Sequence, residues 1–228
     1  MWICQSITQR TLFYVPTNSN LVALTIDDSP TDSTIDILNI LDRYNVKATF
    51  FIIGRNAQEL PEVVEEIVNR GHEIGNHSLI DEASFRNTQN MFRNHVMMTK
   101  NIIDSFTTVP SKLFRAGSGI TCSWMYNILS TLGYEFVVNN KTYNAVSTSA
   151  HAFDVNVPRY CVDNVCSTCI NWSIKAGDII DIHDRDYTQN ELINVIEYAI
   201  NHGYRLVKLT DLINFRTSFQ NDSQTSFR

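Results

Sequence analysis

No run of about 20 apolar residues occurs in this 228-residue chain, so nothing in it reads as a membrane-spanning helix. Positive charge is in deficit. Eighteen Lys and Arg face 24 Asp and Glu, and the net charge of −6 argues against nucleic acid as the main partner. The opening stretch Met1-Trp-Ile-Cys-Gln5 has neither a basic segment nor a long apolar one, so no signal peptide is visible. No internal repeat or low-complexity tract stands out, which sets aside solenoids and arrays. Cysteine is scarce: Cys4, Cys122, Cys161, Cys166 and Cys169. The last three form C-x4-C-x2-C without an adjacent fourth ligand. A zinc cluster and the disulfides of a secreted protein both remain open. Asn76, Asn140, Asn171 and Asn221 head N-x-S/T sequons, a pattern common by chance.

Apolar residue is plentiful. Hydrophobic residues make up 43% and aromatics 11%, enough for a sizeable single core. The chain is organised around Leu21-Val-Ala-Leu-Thr-Ile-Asp-Asp-Ser-Pro30. A β-prone run ends in two adjacent acids and a turn, which predicts a buried strand over 21–26 with Asp27 and Asp28 at its C-terminal tip. Neighbouring strand residues point to opposite faces, so the two acids are expected to do different work. The same residues also suit a helix N-cap.

Strand-like and helix-like stretches then alternate. Strands are expected at 47–53, 72–75, 112–115, 134–138, 178–183 and 204–209. Helices are expected at 31–44, from Leu60-Pro61 to Gly71, at 88–106, 121–132 and 189–202, and a short one at 211–215. Segment 139–176 shows no clear period and reads as loops and short strands. The domain spans 1–215, followed by a polar tail at 216–228. Repeated strand–helix units over this length predict a single parallel α/β barrel.

In such a barrel the C-terminal strand ends converge on one face. Asp27, Asp28, His77, Arg115 and His183 all fall at or just after those ends. Asp28 and His77 are suitable ligand types for zinc or a similar divalent ion. Asp81, four residues after His77, is within one helical turn of it. Taken singly, each histidine is more readily a structural one; taken together, the set points to a site.

These residues stand in motifs that resemble the NodB-homology polysaccharide deacetylases, carbohydrate esterase family 4. That family's T-F-D-D-G-P meets Thr25-Ile-Asp-Asp-Ser-Pro30, and its A-T-F-F-x-x-G meets Ala48-Thr-Phe-Phe-Ile-Ile-Gly54. G-H-E-I-G-N-H-[ST]-x-x-H meets Gly71-His-Glu-Ile-Gly-Asn-His-Ser-Leu-Ile-Asp81. F-R-x-x-x-G meets Phe114-Arg-Ala-Gly-Ser-Gly119, and G-x-I-I-L-x-H-D meets Gly177-Asp-Ile-Ile-Asp-Ile-His-Asp184. Order and spacing agree over roughly residues 20–213.

The resemblance implies a distorted (β/α) barrel and metal-assisted removal of N-acetyl groups from chitin-like or peptidoglycan-like polymers of N-acetylglucosamine. By that pattern Asp27 is the general base and Arg115 orients it. Asp28, His77 and, at the second histidine position, Asp81 hold a divalent metal, zinc or else cobalt or manganese. The backbone N–H of Ser118 helps bind the oxyanion, and His183 is the general acid. Family habit and cysteine usage place the protein outside the cell, at a wall.

The departures from the pattern cluster at the same positions. Asp81 stands for a histidine and adds negative charge, which blunts a metal's pull on its water and favours a harder ion or none. Asp181 stands for a leucine. It shares a strand face with His183, where an acetyl methyl would sit, and a carboxylate there costs several kcal/mol unless paired or protonated. Ser29 stands for glycine, and Ala116-Gly117 for a stiff pair, commonly Pro-Pro. The family's Asp–Trp element has only Asp154 and Trp172 as candidates by residue type. Three readings follow: a metal-dependent de-N-acetylase, a weakened or inactive relative that binds wall carbohydrate, and a deacylase of a different, polar substrate.

Overall fold

The computed structural model describes residues 11–138 and 174–215. The predicted tail at 216–228, most of segment 139–176, Asp154, Trp172 and every cysteine except Cys122 lie outside the described residues. Cys122 is disulfide-bonded.

Among the described residues, eight parallel strands form one curled sheet: β1 (Thr11–Leu12), β2 (Leu21–Ser29), β3 (Thr49–Ile52), β4 (Glu73–Asn76), β5 (Leu113–Arg115), β6 (Phe136–Val138), β7 (Ile179–His183) and β8 (Arg205–Val207). Their order is β1-β6-β5-β4-β3-β2-β7, with β8 also paired to the start of β2. The central strand β2 is buried along all nine residues, as its unbroken β-prone run dictates. Backbone contacts join the two ends of the sheet: Val15 N–H donates to Gly177 O at 2.8 Å, and Tyr14 makes an antiparallel bridge to Asp178. An added Cβ on Gly177 would lie 2.0 Å from the Val15 carbonyl oxygen, so only glycine permits this approach.

Among the described residues, helices cover the outside: α1 (Thr34–Arg43), α2 (Gly54–Glu59), α3 (Pro61–Asn69), α4 (Gln89–Asp104), α5 (Ser123–Thr131) and α6 (Thr188–Asn201). Their apolar stripes pack on the sheet. Ile37, Leu38 and Leu41 of α1, Val64 and Ile67 of α3, and Leu192, Val195 and Ile196 of α6 form one core with Leu24, Ile26, Phe50 and Ile52. Residues 209–215 are helical as well.

The distorted α/β barrel expected from the sequence is the fold observed. Among the described strands and α-helices, two escaped the pattern. Helix α2 has six residues with one buried apolar side chain, Ala57, too little to show a helical period. Strand β1 has two residues, too few for alternation.

Candidate active site

The tip of β2 is bulged. Ile26 pairs with Phe50 and Ser29 with Ile52, so three steps on β2 face two on β3, and Asp28 takes φ 68° to absorb the extra residue. Aspartate tolerates that conformation better than most residues. The bulge cancels the expected opposition of the two acids. Both carboxylates reach one imidazole: His77 Nε2 lies 3.3 Å from Asp28 Oδ1 and 3.9 Å from Asp27 Oδ2.

His77 follows β4 directly. Its Nδ1–H donates to the Arg115 carbonyl oxygen at 2.9 Å, which turns Nε2 toward the acids. Burial works against a charge on His77, but Asp27 and Asp28 outweigh it and raise the imidazole to about 9. Burial likewise works against the Asp28 carboxylate. His77, then His183 and Arg185, overcome it and hold Asp28 at about 2.

Arg115, at the end of β5, is 2% exposed. Its Nη1 donates to Thr25 Oγ1 at 2.9 Å, Asp27 Oδ1 at 2.6 Å and Asp181 Oδ1 at 3.1 Å. The guanidinium carbon sits 4.3 Å from the Phe51 ring centroid. Asp181 and His183 do share the face of β7 that opens on this centre. Ligand atoms of Asp27, Asp181 and His183 all lie within 4.8 Å of one another. Burial, then the neighbouring Asp27 charge, pushes Asp181 up to about 6 against the pull of Arg115.

Sequence reasoning missed Arg185. Its Nη2 donates to Asp28 Oδ2 at 2.6 Å and lies 3.5 Å from Asp81 Oδ2, and its Nη1 donates to the Asp184 carbonyl at 3.2 Å. Asp81 itself is largely exposed, its side chain 65% open to solvent. Asp28 and His77 therefore meet directly, while Asp81 joins them only through a guanidinium. Among the described residues, Asp27–Asp181–His183 is the group whose donor atoms converge; Asp28–His77–Asp81 is not. With a fixed positive group between two of its three donors, that trio as placed does not fit a divalent ion.

Ser118 lies in the turn Gly117–Gly119, exposed, at φ 65°. The turn is pinned from below: Gly117 N–H donates to Ser84 Oγ at 3.0 Å, and a Cβ on Gly117 would come 2.1 Å from the Glu82 carbonyl oxygen. The loop carrying Asp81 and Glu82 thus packs where the family's stiff pair would project. Ser29, in place of glycine, donates to Asp184 Oδ2 at 2.8 Å. Thr31 at 2.8 Å and Thr34 at 2.5 Å complete a collar of hydroxyls around that buried acid. The run Ser29-Pro-Thr-Asp-Ser-Thr34 was the available signal: hydroxyls crowded after a strand have acceptors to satisfy.

The family model described as polysaccharide deacetylase matches residues 14–137, more than half of the chain. A peptidoglycan-N-acetylglucosamine deacetylase of Bacillus cereus is 27% identical over 207 residues, covering 89% of this chain and 92% of its own. A family 4 acetyl xylan esterase of Clostridium thermocellum, solved with a cobalt ion, is 27% identical, with TM-score 0.66 over 85% of this chain and 90% of its own. A carbohydrate esterase family 4 pseudoenzyme of Bacillus anthracis shares the fold at TM-score 0.74 and 23% identity, over 92% of this chain and 70% of its own.

Proposed function

The chain belongs to the polysaccharide deacetylase family, and from that premise we propose that it binds an N-acetylglucosamine polymer of chitin or peptidoglycan type at the strand tips, with N-acetyl hydrolysis of simple chitooligosaccharides weak or lost. One observation carries this reading: a single nitrogen of Arg115 serves Asp27 and Asp181 together.

A general base needs a carboxylate that can take a proton from water, and a general acid needs a proton to give to the leaving amine. Asp27 and His183 are the residue types for those roles and stand together at the tips of adjacent strands, paired in register across β2 and β7. Asp181 intrudes on both. It draws on the arginine that orients Asp27, and its carboxylate lies within 4.8 Å of the same donor atoms, where an acetyl methyl would need an apolar wall. Polymer binding asks less of the centre, because sugar hydroxyls and acetamido groups can pair with its donors and acceptors whether or not a proton moves. A substrate of this class lies outside the cell, at a wall, which is the location this reading assigns.

The test is acetate release from chitin oligomers and peptidoglycan, with oligomer binding measured by calorimetry on the same preparation. The parent should bind and release little acetate. Asp181→Leu should retain binding and release acetate at least tenfold faster, since about 1.4 kcal/mol off a barrier is already tenfold. A parent as fast as Asp181→Leu would overturn the claim of weakened chemistry, and a parent that binds neither polymer would overturn the ligand class.

A further inference from the structure

We propose that Arg185 is the resident cation of this centre: its guanidinium takes the place that a divalent ion holds in metal-dependent relatives, so the pocket engages its polymer without a metal. The inference rests on the family reading only in taking Asp28 and His77 to mark the metal position.

Both oxygens of Asp28 are engaged. Oδ2 accepts from Arg185 at 2.6 Å, a close charge-assisted contact, and Oδ1 faces His77 Nε2 at 3.3 Å. The carboxylate is 5% exposed, so it has little water to turn to. A metal ion bridging Asp28 and His77 would have to displace Arg185 or share the carboxylate with its positive charge.

The same Arg185 nitrogen lies near Asp81, the residue that stands for the family's third ligand. One guanidinium thus answers two of the three carboxylate and imidazole positions at once. Its own seat is fixed from behind. Nη1 donates to the carbonyl of Asp184, whose side chain is locked by Ser29, Thr31 and Thr34. Arg185 keeps a third of its side-chain surface open, so its free edge faces the solvent side. From there it can donate to an acetamido carbonyl, a hydrogen-bonding role that a planar guanidinium fills without a change of protonation.

Local charge agrees. Asp27, Asp28, Asp81 and Asp181 are met by Arg115, Arg185 and, between the first two acids, His77. Substituting Asp81 for a histidine brings in a negative charge that suits an arginine partner.

The experiment is titration of the full chain with ZnCl₂ and CoCl₂, followed by calorimetry and, for cobalt, by visible absorption. The variants are Arg185→Ala and Arg185→Ala combined with Asp28→Asn. A hydrogen bond to a charged group must be given up before a metal can enter, so the parent should bind zinc roughly ten- to a hundredfold more weakly than Arg185→Ala. Adding Asp28→Asn should remove the gain. EDTA should leave the parent's binding of chitin oligomers unchanged. Equal zinc affinity in parent and Arg185→Ala, both with cooperative melts, would overturn the proposal. If Arg185→Ala does not fold, the parent decides: one tightly bound zinc that Asp28→Asn abolishes overturns it, and absence of zinc binding supports it. Metal binding and polymer binding are read separately, so a parent that binds no polymer fails the functional reading without touching the zinc comparison.

Discussion

His72 and His77 bracket one strand, β4, and both are 6% exposed, yet they take opposite charge states. At the N-terminal end, His72 Nδ1 accepts the Ala48 N–H at 3.1 Å and its ring meets Phe50 edge-on at 5.3 Å. Burial lowers it to about 4, so it is neutral at pH 7. At the C-terminal end, His77 stands between two carboxylates and rises to about 9. Similar exposure gives opposite outcomes because burial prevails at His72, while two carboxylates override it at His77. The N-terminal end of this strand is scaffold. The C-terminal end concentrates charge that the fold must balance.

The severest way to break the contrast is to remove the cation of the C-terminal end. Arg115→Met leaves Asp27 and Asp181 buried against each other, and removing one partner of a buried pair costs about 3–5 kcal/mol. Urea unfolding at pH 7 measures it, and a loss below about 1 kcal/mol would mean that the acids are balanced some other way.

His72 sharpens the other end. Its folded pKa lies below the unfolded value of 6.5, so its contribution is present above 6.5 and lost as pH falls through about 4. The difference corresponds to about 3 kcal/mol. Comparing parent with His72→Phe across that range isolates the slope, which should vanish in the variant.

Asp181 slopes the opposite way. Its folded pKa is raised from 3.8 to about 6, so its favourable contribution is present below 3.8 and lost as pH rises through about 6. Asp181→Asn should therefore gain up to about 3 kcal/mol relative to the parent at pH 7, and gain nothing at pH 3.5. Thermal melts at the two pH values decide it; equal shifts at both would rule out the carboxylate as the cause.

The smallest effect tests the turn beneath the charged end. Gly117→Ala drives a methyl into the Glu82 carbonyl, which costs about 1–3 kcal/mol. Hydrogen exchange should show faster opening confined to the 80–84 loop, while the pH slopes of His72 and Asp181 stay as they were.

Much of this was legible in the sequence because it is periodic or local. The strand run 21–26 and the stripes of α1, α3 and α6 fixed the barrel. The i, i+2 spacing of Asp181 and His183 put both on one face, as observed. What was illegible depends on backbone irregularity or reach. Alternation cannot foresee the bulge that turns Asp28 toward His77, because one inserted residue reverses the face. Arg185 lies two residues beyond the acid-type histidine, and only the pairing of β7 beside β2 brings its long side chain to Asp28, 157 positions earlier. Asp81 matched a motif position by spacing, but the loop that carries it is drawn toward Gly117.

The join between Val15 and Gly177 has a kinetic meaning as well. More than 160 residues separate the partners, and the sheet they close is assembled from the five strands between them, β2 to β6. A contact so distant along the chain gains nothing until the intervening staves are in place, because loop closure must be met first. The hoop is therefore fastened last and slips first. In native-state exchange the Val15 amide should open at lower free energy than those of β2 to β4, and the molecule should come apart by unrolling from this seam.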